Sequence, residues 1–263
     1  MSTVTVIIDK KKYRTEQGEM ILRVARREGI DIPALCYHEG LSPFGACRLC
    51  MVEVVAGGRP GITTSCTLAA TDGLEVKTAT DGVVKIRRGL LELYLAQAPD
   101  APSLRQLAAQ HGVTHSRFVR ERQKDAPEEK CVLCGLCVRV CNEAVGAGVI
   151  NFTGRGPETK VTTPYREPSN ACIGCTACAQ VCPTEVIQIA DVRGIRSVIT
   201  WSDTKVALKQ CRICGRTMEP EPLVQEVHRK IIDLSEEFKD VCIKCRQRYR
   251  TVKLHHMDMA KTK

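Results

Sequence analysis

Between Cys131 and Cys182 the chain carries one eleven-residue cysteine pattern twice. It reads C-V-L-C-G-L-C-V-R-V-C, then a 30-residue spacer, then C-I-G-C-T-A-C-A-Q-V-C-P. Each half is C-x2-C-x2-C-x3-C, the spacing that places three thiolates at three corners of a [4Fe-4S] cubane. The fourth cysteine of each run, Cys141 or Cys182, is expected to start a short helix and to ligate the other cluster. One cubane then takes Cys131, Cys134, Cys137 and Cys182, and the second takes Cys141, Cys172, Cys175 and Cys178. Eight buried or disulfide-paired cysteines are the competing reading, and the doubled spacing argues against it. Two adjacent cubanes imply one-electron chemistry.

Upstream, Cys36, Cys47, Cys50 and Cys66 form C-x10-C-x2-C-x15-C. Plant-type ferredoxins hold a [2Fe-2S] cluster on C-x4-C-x2-C with a distant fourth cysteine, so this set reads as a [2Fe-2S] site with a longer first gap. Structural zinc is the alternative on spacing alone. Gly45, just before Cys47, permits close backbone approach to a cluster. His38, two residues after Cys36, reads as a loop histidine, because four cysteines already suffice.

Downstream, Cys211-Arg212-Ile213-Cys214-Gly215 and Cys242-Ile243-Lys244-Cys245 pair into a four-cysteine site. Structural zinc is the expected metal, with a further iron–sulfur centre as runner-up, since both take tetrahedral sulfur. The 16 cysteines are thereby used as four sets of four, with no thiol left over as a nucleophile.

The coarse architecture follows the hydrophobic pattern. Residues 3–8 predict a strand, Asp9 to Lys12 a turn, Tyr13 and Arg14 a return strand, and 19–29 a helix ended by Gly29. Residues 83–96 predict an amphipathic helix. Ser103 reads as the N-cap of a second helix, Leu104 to Gln110, with His111 and His115 as cap or surface residues. The charged run from Arg117 to Lys130 reads as a linker. Strands are expected at 148–152, 160–163, 186–189 and 201–208, and a helical insertion around Leu223 to Phe238.

The fold class is therefore α+β. We expect a β-grasp [2Fe-2S] domain over 1–80, a helical linker over 81–125 and a two-[4Fe-4S] bacterial-ferredoxin-like domain over 126–195. A four-cysteine zinc-ribbon-like module with a basic tail occupies 196–263. No signal segment or membrane-spanning run stands out, and grouped free cysteines suit a cytoplasmic protein.

The formal charge of +9 treats every cysteine as neutral. Four metal sites at about −2 each contribute about −8, which leaves the loaded chain near +1. Basicity is thus weak support for a nucleic-acid partner. There is no dinucleotide-binding GxGxxG, no P-loop, no HExxH and no serine nucleophile elbow.

The segment I-P-A-L-C-Y-H-E-G-L-S-P-F-G-A-C-R-L-C-M-V-E-V resembles the N-terminal domain of the G subunit of bacterial NADH:quinone oxidoreductase (complex I). It is equally similar to the diaphorase small subunit of NAD-linked [NiFe] hydrogenases, the N-terminal region of [FeFe] hydrogenases, and NAD-linked formate dehydrogenases. The resemblance covers about residues 3–195. Those relatives commonly carry one more cluster on a histidine and three cysteines between the two modules, whereas this chain has no cysteine from Thr67 to Lys130.

The resemblance implies a non-catalytic electron-transfer subunit of an NADH-linked complex of hydrogenase, formate dehydrogenase or bifurcating transhydrogenase type. Its partners would be a flavin- and NAD(H)-binding subunit like the complex I F subunit and a terminal catalytic subunit. A hydride carries two electrons and the chain shows no flavin site, so that partner must divide the pair. A free-standing multi-cluster ferredoxin carrier is the alternative. A redox-sensing nucleic-acid binder, using the C-terminal knuckles and tail, is a third.

Overall fold

The computed structural model describes residues 2–118, 128–230 and 240–248. The chain divides into two compact units, 1–144 with 180–186, and 145–179 with 187–263.

Unit one opens on a hairpin of β1 (Thr3–Ile8) and β2 (Lys11–Glu16), with Ile8 opposite Lys11. The turn is two residues long, shorter than expected, because Lys11 and Lys12 already pair. Asp9 and Lys10 adopt positive φ (48° and 70°), the twist a tight antiparallel hairpin requires. Helix α1 (Ile21–Arg27) follows. Gly29 ends it at φ 74°, its N–H donating to Arg26 O (3.1 Å) and the N–H of Ile30 to Ala25 O (2.8 Å).

Strands β3 (Met51–Ala56), β4 (Gly61–Thr64) and β5 (Glu75–Lys77) complete a sheet of order β2-β1-β5-β3-β4. β1 runs parallel to β5 and the remaining pairs are antiparallel, which makes a β-grasp sheet. Val4, Val6 and Ile8 alternate inward along β1 and meet Ile21, Leu22 and Val24 of α1 in one core. Each such side chain contributes about 1.5–3 kcal/mol on burial.

Helix α2 (Asp81–Gln97) is capped by Thr80, whose Oγ1 accepts from the Val83 N–H at 3.4 Å. In α3 (Pro102–Gln110) the N-cap is Ala101 and Pro102 takes the first helical position, where a missing N–H costs nothing. The expected cap, Ser103, lies inside the helix and donates its hydroxyl to Pro183 O at 2.7 Å. His111 is the C-cap of α3, as the sequence suggested, although its Nε2 is buried without a partner. Leu91, Leu95, Ala98, Ala101, Leu104 and Ala108 pack α2 on α3. Helix α4 (Leu136–Arg139) continues into one π-helical stretch, Val140–Val145. Cys141 therefore lies within this helical run instead of starting it.

Unit two contains a hairpin, β6 (Asn151–Thr153) with β7 (Lys160–Thr162), and the antiparallel sheet β8 (Ile189–Val192), β9 (Ile195–Val198), β10 (Thr204–Gln210) and β11 (Thr217–Pro220). The short helix α5 (Ala177–Gln180) carries Cys178, so it precedes Cys182 and does not begin there. The strand expected at 186–189 starts only at Ile189, because the Gln188 N–H goes to Thr200 Oγ1 (2.8 Å). The strand expected from Trp201 starts at Thr204, since Ser202 and Asp203 turn at positive φ. Helix α6 (Glu221–Lys230) forms the start of the expected insertion; 231–239, the tail from 249 and 119–127 of the expected linker lie outside the described residues.

Candidate metal centres

Cys36 and Cys47 come from the loop after α1, Cys50 from the residue before β3, and Cys66 from just beyond β4. All four are about 1% exposed or less. They fall into two thiol pairs. Cys47 is drawn down to about 6 by the Cys36 thiol and by N–H groups of Leu49, Leu35 and Cys36, while Cys36 is pushed up. Cys50 is drawn down to about 7 by Cys66, which is pushed up in turn. Two N–H bonds to sulfur have explicit geometry: Leu35 N to Cys47 Sγ at 3.4 Å and Cys47 N to Cys36 Sγ at 3.3 Å. Such bonds stabilise thiolate, the form that ligates iron. His38 stays in the loop, its Nδ1 accepting from the Gly40 N–H at 3.1 Å.

A buried cation supports this loop. Arg87, 5% exposed on the apolar stripe of α2, donates to the carbonyls of Leu49 (3.2 Å), Met51 (3.1 Å) and Thr78 (3.3 Å). Burial lowers its pKa from 12.5, yet guanidinium remains charged at neutral pH. The sequence does hint at it, since Val83, Arg87, Leu91 and Leu95 share one i, i+4 stripe.

Cys131, Cys134, Cys137 and Cys182 all belong to unit one. Burial, then the other thiols of this set, pushes Cys134 up to about 11 and Cys137 higher still; Cys131 is raised by burial and by Cys182. The structure thus brings these four into one electrostatic neighbourhood. Val132 and Cys134 pack in the same apolar cluster as Leu35, Cys36, Cys47 and Leu49. Tyr94 of α2 joins it, donating to Cys47 O at 3.1 Å. Its phenol is pushed well above 10 by burial and by Cys47, Cys36 and Cys134.

In unit two, burial followed by Cys175 and Cys172 raises Cys178, against a lowering hydrogen bond from Trp201. Cys175 and Cys172 therefore both lie near Cys178. Cys141 belongs to unit one, so its assignment to this set rests on the sequence spacing.

Among the described residues, the C-terminal set packs Cys211, Cys214, Cys242 and Cys245 sulfurs all within 4.8 Å of one another. Cys214 and Cys242 sulfurs are 3.8 Å apart. One ion with four Zn–S bonds of about 2.3 Å requires sulfurs about 3.8 Å apart. The first knuckle closes through Gly215 N to Cys211 O (2.8 Å), and the Cys242 N–H donates to Cys211 Sγ (3.3 Å). The Cys242 N–H, with those of Cys214 and Ile213, draws Cys211 down to about 6.

The donor chemistry fits the groups that the spacing implies. The sets are sulfur-only, set in apolar shells or capped by N–H donors, and the C-terminal one has single-ion dimensions. What the sequence did not single out are the side chains that hold these loops: Arg87, Tyr94, Arg139, Arg196 and Trp201.

Residues 1–81 match the family described as a 2Fe-2S iron-sulfur cluster binding domain, and residues 130–186 that described as a 4Fe-4S dicluster domain. The NADH-quinone oxidoreductase G subunit of Streptomyces coelicolor is 34% identical over 212 residues, 72% of this chain and 25% of that protein. NADP-reducing hydrogenase subunit HndD of Solidesulfovibrio fructosivorans is 35% identical over 211 residues, 70% of this chain and 36% of that protein. A chain in the crystal structure of NAD+-reducing [NiFe]-hydrogenase in the H2-reduced state superposes with a TM-score of 0.52 at 32% identity. The match covers 62% of this chain and 75% of that one. The chain spans about a quarter to a third of the curated relatives it matches.

Proposed function

The chain belongs to the iron–sulfur family of NADH-quinone oxidoreductase G subunits and the NAD+-reducing hydrogenase chain it resembles, and from that premise we propose that it is an electron-relay subunit. It passes single electrons between a flavin- and NAD(H)-binding subunit and a terminal catalytic subunit of hydrogenase, formate dehydrogenase or other reductase type. The clusters, when bound, supply the one-electron carriers.

The observation that carries this reading is the shared apolar core of unit one. Cys36 and Cys47 of the [2Fe-2S] set lie in it with Val132 and the half-buried Cys134 of the first cubane run, packed with Leu35, Leu49 and Leu91. A dry, rigid path between carriers is what a relay needs, because low dielectric and fixed geometry limit reorganisation.

The proposed ligands are Cys36, Cys47, Cys50 and Cys66 for [2Fe-2S]. Cys131, Cys134, Cys137 and Cys182 hold one cubane, and Cys141, Cys172, Cys175 and Cys178 the other. Single-ion dimensions favour zinc on Cys211, Cys214, Cys242 and Cys245. The domain division is 1–80, 81–125, 126–195 and 196–263, and the compartment is the cytoplasm. No helix among the described residues is long and apolar enough to cross a membrane.

Anaerobic purification from the native source tests the reading. We expect about ten irons and one zinc per chain, dithionite-dependent electron paramagnetic resonance signals, and co-elution with a flavoprotein. A monomer with far fewer irons would overturn it.

A further inference from the structure

Trp201 is the one tryptophan in the chain, and it is 4% exposed. A buried indole N–H must find an acceptor or lose its hydration uncompensated. The acceptor here is a sulfur: Trp201 Nε1 lies 3.5 Å from Cys178 Sγ.

This contact is held from several sides within unit two. The Trp201 backbone N–H donates to Val198 O (3.1 Å), and Trp201 O accepts from the N–H (3.1 Å) and Oγ1 (2.6 Å) of Thr204. Thr204 Oγ1 also accepts from the Ser169 N–H at 3.1 Å, and the Ser202 and Thr163 hydroxyls pair at 2.9 Å. The turn that presents the indole is thereby tied to the segment leading into Cys172. Trp201 itself belongs to the β9–β10 connection, outside the cysteine motif.

We propose that Trp201 sets the reduction potential of the cubane held by Cys172, Cys175 and Cys178, through its N–H bond to the Cys178 sulfur. The inference rests on the cluster assignment proposed above. A donor to a ligand sulfur withdraws electron density and favours the reduced, more negative cluster, so the bond raises that centre's potential. The sheet β8–β11 then acts on the relay, although it supplies none of the cubane's ligands.

Full-length holoprotein carrying [15N-indole]tryptophan, reduced with dithionite under argon, reads the contact directly, since only one indole is labelled. We expect a 15N coupling on one cubane signal in electron spin echo spectra. In Trp201→Phe holoprotein we expect one cubane to titrate at lower potential, with the other two centres unmoved and iron retained. Full iron with no 15N coupling overturns the proposal, as do unshifted potentials in an iron-replete variant. Wild-type protein short of the second cubane's iron instead sinks the cluster assignment. Should Trp201→Phe fail to assemble, the 15N measurement on wild type decides alone.

Discussion

The guanidinium of Arg139 donates to the carbonyl oxygen of Cys36 at 3.1 Å, joining the first cubane run to the [2Fe-2S] loop. Arg139 sits between Cys137 and Cys141, 103 residues from its acceptor. The same group donates to Ser42 O and pairs with Glu143 at 3.1 Å, and it lies 5.2 Å over the Phe44 ring. Glu143 in turn accepts from the Ser42 N–H at 2.9 Å. Two helical residues four apart thus grip the loop that carries Cys36.

Arg139→Gln should therefore keep the clusters but loosen their coupling. The expected results are full iron, a lower [2Fe-2S] potential because a nearby cation is gone, and weaker spin–spin broadening between the two reduced centres. Charged hydrogen bonds of this kind contribute about 1.5–3 kcal/mol each, so the thermal midpoint should also fall. Unchanged broadening and potential would show that the grip has no electronic consequence.

Arg87→Met should be more damaging to the fold than to any one centre. It removes the donor from three carbonyls, those of Leu49 and Thr78 buried and that of Met51 partly so, at about 1–3 kcal/mol for each buried group left unsatisfied. We expect a marked drop in chemical-denaturation stability and partial loss of the [2Fe-2S] spectrum. Arg87→Lys should recover only part, because an ammonium lacks the planar fork. Wild-type stability in Arg87→Met would refute the role.

The C-terminal four-cysteine set was legible in the sequence because each half of it is local: a C-x2-C knuckle is encoded by spacing alone. The β1–β2 hairpin and α2 were legible for the same reason, through period-2 and i, i+4 patterns. What escaped depends on distant partners. Trp201 reads as the start of a strand until Thr204 and Ser202 turn it toward Cys178. Ser103 has the chemistry of an N-cap, yet Pro102 suits the first helical position better and leaves the hydroxyl for Pro183. Nothing in the spacing around Arg139 marks its role, and only the fold brings it to Cys36.

Cys214→Ser should separate the C-terminal site from the relay. Removing one of four sulfurs leaves an incomplete tetrahedron, and metal binding at such sites is folding free energy. Elemental analysis should show zinc falling from about one to near zero per chain, with iron unchanged. Loss of one iron in place of zinc would overturn the zinc assignment.

Arg196 should control acid stability of the second cubane loop. It donates to Gly174 O at 2.8 Å, and its 12%-exposed side chain is held by Asp191 at 2.8 Å and Glu219 at 3.3 Å. The hydrogen bond from Arg196 lowers the Asp191 carboxyl below 3.8. A depressed carboxylate stabilises fully above its ordinary value and loses that contribution as pH falls through the lowered one. Cubane absorbance should then be level between pH 5 and 8 and fall below about pH 4, with the fall displaced upward in Asp191→Asn. Identical acid profiles for the two proteins would rule Asp191 out.

Gly174→Ala tests whether the same loop tolerates any side chain against the sheet. Gly174 sits at φ 66°, where an L residue is strained, and an added Cβ would stand 2.8 Å from Pro220 Cγ and 3.4 Å from Val206 Cβ. Neither neighbour yields easily: Pro220 is a ring closing β11, and Val206 is an inward residue of β10. The loop bearing Cys172, Cys175 and Cys178 must therefore lift away from β10 and β11. We expect anaerobically reconstituted Gly174→Ala to bind about four fewer irons, with the [2Fe-2S] and zinc contents intact. Full iron with unshifted potentials would mean that the sheet does not define the loop's position.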